Sequence, residues 1–251
     1  GQKQSRINYM YGWRKELHDH NDIYHIFEKN EIEFENVDLR HNCPYVYDQG
    51  NLGSCTANAV AALYSYNEEQ KNTMIPSRLF IYYNERVLEN TVMSNSGASI
   101  RDSIKVLHKY GVCSETEWPY IIEKFTHKPT LACFQEAKEY KIKEYKKIRQ
   151  NINDMKSCLQ AGLPFVFGFT VYESFEDNLV KETGDMTIPE KWEKLLGGHA
   201  VMAVGYDDHT KTILVRNSWG TNWGDKGYFN MPYKFIADEK YASDFWTIIK
   251  E

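Results

Sequence analysis

Apolar positions change their period along this chain, from helical spacing in the first half to short continuous runs in the second. Behind Cys55, residues Thr56, Ala59, Val60, Leu63 and Tyr64 recur at helical spacing, which predicts a buried helix beginning at or just before the cysteine. Pro76 leads into a second helical run through Leu79, Tyr83 and Val87, with proline where a first turn tolerates it. Ser99 and Asp102 have capping spacing, a stripe of Ile100, Ser103, Ile104 and Leu107 follows, and Gly111 is a natural stop. Asn153 or Asp154 is expected to cap a short helix that ends near Gly162.

The second half reads differently. Phe165–Val171, Ala200–Tyr206, Thr212–Arg216, Gly227–Met231 and Phe245–Ile249 are short and rich in β-branched or aromatic residues, with turn pairs such as Asp207-Asp208 and Gly224-Asp225 between them. Helices followed by strands predict an α+β protein of two lobes meeting along a cleft, the place where a site is expected. The boundaries expected are a helical lobe over about 50–160 and a β lobe over about 161–251. Residues 1–36 are polar, with scattered Tyr9, Tyr11, Trp13, Tyr24 and Phe27 and no period, and read as an extended arm.

Composition narrows the partners. With a net charge of -5 and charges mixed even in the lysine-rich 138–148 segment, a nucleic-acid partner is not expected. No run approaches the roughly 18 apolar residues of a membrane span. The five cysteines, Cys43, Cys55, Cys113, Cys133 and Cys158, are an odd number, so at least one thiol lies outside any disulfide; the other four allow two bridges or none. No Asn-x-Ser/Thr sequon occurs, and the chain opens on Gly1 without an apolar signal region.

The candidate chemistry sits in three segments. Asp48-Gln49-Gly50-Asn51-Leu52-Gly53-Ser54-Cys55 is a glycine-bearing loop that runs into a helix N-terminus, where the helix dipole favours a thiolate and the first-turn amides are unpaired. Gln49 has the reach to add a side-chain N–H, which would make an oxyanion hole beside a nucleophile. Gly197-Gly198-His199 places a histidine at the head of an apolar strand, and Asn217-Ser218-Trp219-Gly220 follows another. Each segment alone has an ordinary structural reading: a buried thiol, a hydrogen-bonded histidine, a turn. Their combination and order point to chemistry.

That order resembles the papain family of cysteine peptidases, from about residue 37 to the C-terminus. Val37-Asp38-Leu39-Arg40 is similar to the start of mature enzymes, Glu117-Trp118-Pro119-Tyr120 to a mid-chain signature, and Trp223–Phe229 to the closing hairpin. The resemblance implies a helical left lobe, an antiparallel β-barrel-like right lobe, and no cofactor or metal. It implies Cys55 as nucleophile, His199 as its proton partner, Asn217 orienting the histidine, and Gln49 with the Cys55 amide holding the oxyanion. It places Gly97, Ala98, Ser99, Gly198 and Trp219 around the substrate. Departures are Leu52 for a cysteine, Thr56 for a tryptophan, Ser96 for a glycine, and an insert over 181–196.

Tyr11–Leu17 is similar to leaders of bacterial and giant-virus members, so the arm of 1–36 is expected to occupy the cleft as an inhibitory prosegment, anchored by Tyr9, Tyr11, Trp13 or Leu17. The domain itself is then 37–251. His18-Asp19-His20 with His25 fits no standard zinc spacing, and no metal is expected. Expected partners are protein or peptide substrates and the chain's own arm, on a monomer, in a secreted, endolysosomal-type or virion-associated setting. The competing readings are a silent papain-fold binding or virion protein, and an acyltransferase with the same residues.

Overall fold

The computed structural model describes residues 10–27, 33–66, 74–249. Seven strands form one antiparallel sheet: β1 (Asn36–Asp38), β2 (Glu144–Lys147), β3 (Phe165–Tyr172), β4 (Leu195–Asp207), β5 (Thr212–Arg216), β6 (Tyr228–Pro232) and β7 (Ala242–Ile249). Their order is β2-β7-β3-β4-β5-β6, with β1 alongside the far end of β4. The sheet is open, since among the described residues no pairing joins β6 back to β2. In place of the barrel-like closure implied by the resemblance stands an open sheet, while the helical and antiparallel halves are as expected.

The helices are α1 (Cys55–Tyr66), α2 (Arg78–Leu88), α3 (Ile100–Lys109), α4 (Leu131–Ala137), α5 (Ile152–Gln160), α6 (Asn178–Thr183) and α7 (Tyr233–Ile236). Helix α1 starts at Cys55 and is buried from Cys55 through Tyr64. Ser77, one residue after Pro76, caps α2 by accepting the Phe80 amide. Ser99 caps α3 by accepting the Asp102 amide, and Gly111 follows it in the left-handed region that favours glycine. The cap of α5 is Asn151, which accepts from the Asp154 amide, and not Asn153 or Asp154: the side chain must come from three residues before the amide it serves.

The sheet is covered on both faces, which is why its strands read as continuous apolar runs. Ala200, Met202, Val204 and Val166 point into one cluster with α1, α2 and α3. Their neighbours Val201, Ala203, Phe165, Phe167 and Phe169 point into a second, aromatic cluster with Phe175, Trp219, Trp223, Phe229 and Phe235. Strand β4 thus carries His199 at the seam between the two cores. Strand β2, sequence Glu-Tyr-Lys-Lys, lies within the segment expected to be helical and gave no apolar signal, being half-buried at the sheet edge on β7.

Candidate active site

The loop before α1 is tied to the turn after β5. The Gln49 amide donates to the Ser218 carbonyl (2.9 Å), the Gly220 amide to the Tyr47 carbonyl (3.0 Å), and Asp48 bridges Trp219. Buried Ser218 donates its hydroxyl to Gln49 Oε1 (2.7 Å), which leaves the amide nitrogen of Gln49 as the donor, one partner being the Leu52 carbonyl (2.9 Å). Cys55 is therefore set at a helix start whose loop is bolted to the segment that carries Asn217.

His199 Nε2 and Asn217 Oδ1 are 2.7 Å apart. The Ser218 amide also donates to that oxygen (2.8 Å), so Asn217 faces the ring with its acceptor and the ring carries its proton on Nε2. Trp219 stacks on the imidazole, with centroids 4.8 Å apart and planes at 27°. Nδ1 of His199 is buried with no hydrogen-bond partner, which leaves it as a bare proton acceptor. The backbone of Ala200, the next residue, favours the Cys55 anion, as does that of Gly12 and of Thr56.

All of these groups are out of water. Burial pushes the Cys55 thiol up to about 12, although the amides of Ala200, Gly12 and Thr56 favour the anion and buried Glu85 opposes it. Burial takes His199 down to about 4, against the Asn217 hydrogen bond. Burial of both groups therefore works against the charged forms while the arm is in place.

What covers the site is the arm. Met10 places its carbonyl on Gln49 Nε2 (3.1 Å). The Ala98 amide donates to the Gly12 carbonyl (2.8 Å), the Arg14 amide to the Ala98 carbonyl (3.0 Å), and the Trp13 amide to the Gly198 carbonyl (3.0 Å). Trp13 and Ala98 run parallel. The fit needs glycine: a Cβ on Gly97, whose φ is +69°, would lie 2.0 Å from the Gly12 carbonyl oxygen. Tyr11 meets the rings of His199 and Trp219, and its hydroxyl donates to Glu176.

Of the four anchors considered, Trp13 is the buried one at 9% exposure, Leu17 is 86% exposed, and Tyr9 lies outside the described residues. Further along, Glu16 is buried among Arg101, Lys147 and the Trp246 indole, with Asp22 bound to the same two cations.

Gln49, Cys55, His199, Asn217, Trp219, Gly97, Ala98 and Gly198 converge here. Ser99 stands at the same wall but spends its hydroxyl on Asp102 as the α3 cap. Three contributors were not read from the sequence. Gly168 inside apolar β3 carried a signal, since glycine in a strand marks a close backbone approach. Asp244 and Glu16 carried none. All five cysteines are free thiols. Among the described residues no cluster of His, Cys, Asp and Glu is arranged to hold a metal, and no helix is long and apolar enough to cross a membrane.

Comparison with known proteins agrees with the geometry. The model of the papain family cysteine proteases matches residues 34–242. An uncharacterised peptidase C1-like protein of Acanthamoeba polyphaga mimivirus is 50% identical over 212 residues, 80% of this chain and 68% of that one. Cysteine proteinase 1 of Entamoeba histolytica is 27% identical over 81% of this chain and 67% of its own. Among solved structures, xylellain, a cysteine protease from Xylella fastidiosa, is 45% identical with a TM-score of 0.89 over 95% of both chains. Procathepsin L 3 of Tenebrio molitor, at 16% identity and a TM-score of 0.72 over 97% of this chain and 77% of its own, shares the fold. A match to that family over most of the chain, with the same groups gathered at one cleft, makes this protein a member of the papain family of cysteine proteases.

Proposed function

We propose that Cys55, His199, Asn217 and Gln49 hydrolyse peptide bonds through an acyl-thioester, and that the arm around Met10–Glu16 holds the cleft shut until it leaves. Once water or substrate replaces the arm, the Cys55 proton passes to His199 Nδ1, the bare acceptor, and the ring becomes an imidazolium steadied by Asn217. The thiolate attacks the substrate carbonyl carbon. The oxygen takes the charge and is held by Gln49 Nε2 and the Cys55 amide. Collapse expels the amine with the proton from Nδ1 and leaves a thioester. His199 then takes a proton from water, the hydroxide attacks the thioester carbon, and the thiolate departs as the acid is released.

One observation carries the reading. The two groups that a substrate carbonyl must reach, Gln49 Nε2 and the Cys55 sulfur, both face backbone of the arm. The burial that disfavours both the Cys55 thiolate and the His199 imidazolium fits the same reading, because a buried charge pair is unfavourable until solvent returns.

The test is alkylation with iodoacetamide, read by mass spectrometry, alongside cleavage of a casein substrate. Cys55 should label slowly in the full chain and faster by at least about tenfold in Trp13→Ala, which removes a large buried anchor. Labelling should fall in His199→Ala, and cleavage should vanish in Cys55→Ala. Equal labelling of all five thiols, unaffected by either change, would favour a silent scaffold and end this proposal.

A further inference from the structure

One arm residue, Gly12, is pinched between two rims of the cleft. A Cβ on Gly12 would lie 2.0 Å from the Gly53 carbonyl oxygen, and one on Gly97 would lie 2.0 Å from the Gly12 carbonyl oxygen. The gap is therefore one glycine wide. Its rims come from different parts of the chain: the loop before α1, which leads to Cys55, and the loop between α2 and α3, which ends on the Ala98 edge that hydrogen-bonds the arm. No covalent link joins them. Leu52 stands where the resemblance expects a cysteine, and the five thiols of the chain are free.

What joins the rims is a chain of hydrogen bonds through Asn95. Its Oδ1 accepts the Gly53 amide at 2.9 Å and the Tyr82 hydroxyl at 2.7 Å, and the same hydroxyl accepts the Gly97 amide at 3.2 Å. Two donors from opposite sides converge on one oxygen, so both rims depend on an acceptor at that place. Tyr82 is fully buried on α2, and burial pushes its hydroxyl above the ordinary range, so it keeps the proton it donates. Arg86, one turn later, lays its guanidinium 4.1 Å from the Tyr82 ring centroid and binds the Val92 and Ser94 carbonyls just ahead of Asn95. The link is thus held in place from within the helical lobe.

We infer that Asn95 and Tyr82 are positioning residues that fix the loop carrying Gln49 and Cys55 against the Gly97–Ala98 edge that holds a peptide backbone, and so set the width of the gap. Without the link the rims part. A substrate still binds the edge, but its carbonyl misses the sulfur and the oxyanion donors, and a misplacement of about 1 Å is enough to cost about 100-fold in rate. The kinetic part of the inference rests on the peptidase reading; the gap itself can be probed in the resting chain, without turnover.

Two experiments on the full chain test it. In the first, Cys55 alkylation by iodoacetamide reports closure by the arm. Gly12→Ala sets a methyl against the Gly53 carbonyl and should speed labelling by about tenfold or more. In Asn95→Ala and in Tyr82→Phe, where the rims are free to part, the same Gly12 change should add less than about threefold. Each of these two variants alone should label more slowly than Trp13→Ala, since the rest of the arm still holds. An equal Gly12→Ala factor in all three backgrounds, or labelling as fast as in Trp13→Ala, overturns the inference.

The second follows cleavage of one peptide, taken from a site cut in casein, in the Trp13→Ala background. Asn95→Ala and Tyr82→Phe should each lower kcat by about tenfold to 100-fold with KM changed less than about threefold, and together cost little more than either alone, because both cut one link. Asn95→Asp keeps the acceptor and should restore most of kcat. Tyr82→Phe removes a single oxygen and decides the question if Asn95→Ala does not fold. Cys55 alkylation in these variants should stay within about threefold, which separates a misplaced substrate from a damaged nucleophile. A raised KM with kcat intact, or effects of the two changes that multiply, overturns the inference. Failure of Trp13→Ala to cleave any peptide counts against the peptidase reading alone, because the Gly12 series still decides the link.

Discussion

Gln49 serves both states of the site with one atom. Its Nε2 donates to the Met10 carbonyl when the arm is in place, and the same donor is the one proposed to meet the oxyanion. Gln49→Ala should therefore lower kcat by about 100-fold with little change in KM, the usual consequence of losing one oxyanion donor. It should also speed Cys55 alkylation in the resting chain. Steady-state kinetics and labelling on the same preparation check both, and a change in KM alone would place Gln49 outside the oxyanion hole.

Glu85 is the second residue with an unusual burden. It is fully buried behind Cys55, receives the hydroxyls of Thr56 and Ser103, and is pushed up to about 8 by burial in spite of them. Thr56, read from the sequence as a departure from the family pattern, thus has a structural partner. The folded form holds the proton up to about pH 8, while the unfolded chain gives it up near its ordinary value. Stability from this group is complete below about pH 4.5 and is lost as pH rises toward 8, by up to about 1.4 kcal/mol per unit. Glu85→Gln should flatten that slope; thermal melts from pH 5 to 8 that fall equally in both proteins would contradict the assignment.

At the scale of elements, legibility followed the range of the contacts. Helix α1 and the five inner and hairpin strands were readable because their periods are local and their faces buried. The cap Asn151, the polar edge strand β2 and the open sheet were not, because the first turns on a shift of two residues and the others on pairings with the distant β7. The candidate set Gln49, Cys55, His199 and Asn217 was named from loop, strand head and turn, and the fold brings those segments together. Trp13 was one of several candidates, and its partners Gly168 and Asp244 lie more than 150 residues away in the chain.

The arm, as an element, carries its own pH dependence. Burial, and then the charge of Asp244, raises Glu16 to about 7, while Arg101 and Lys147 pull it down. Free of the cleft, Glu16 returns to the ordinary carboxylate range. Its contribution to docking is fully present below about pH 4.5 and fades as pH passes 7, so alkali loosens the arm. The ratio of Cys55 alkylation rates in wild type and Glu16→Gln cancels the thiol's own titration. That ratio should rise between pH 5 and 8, and a flat ratio would remove Glu16 from the latch.

Over the whole molecule, the arm spans the cleft as a strap. Its backbone bonds Ala98 on the side of α3 and Gly198 on the sheet, and its side chains reach Asp244 on β7 and Glu89 after α2. A strap that binds only the closed arrangement stabilises the fold by its own docking free energy. Trp13→Ala leaves a cavity between the two halves and should cost about 3 kcal/mol, the lower end for a buried tryptophan. For a chain of this length that corresponds to a fall in Tm of roughly 6–12 °C. Leu17→Ala, at an exposed residue of the same arm, should leave Tm unchanged. Calorimetry of the two variants separates the cases: a fall confined to Trp13→Ala supports the strap, whereas an unshifted Tm with faster alkylation would mean that the halves hold together without it.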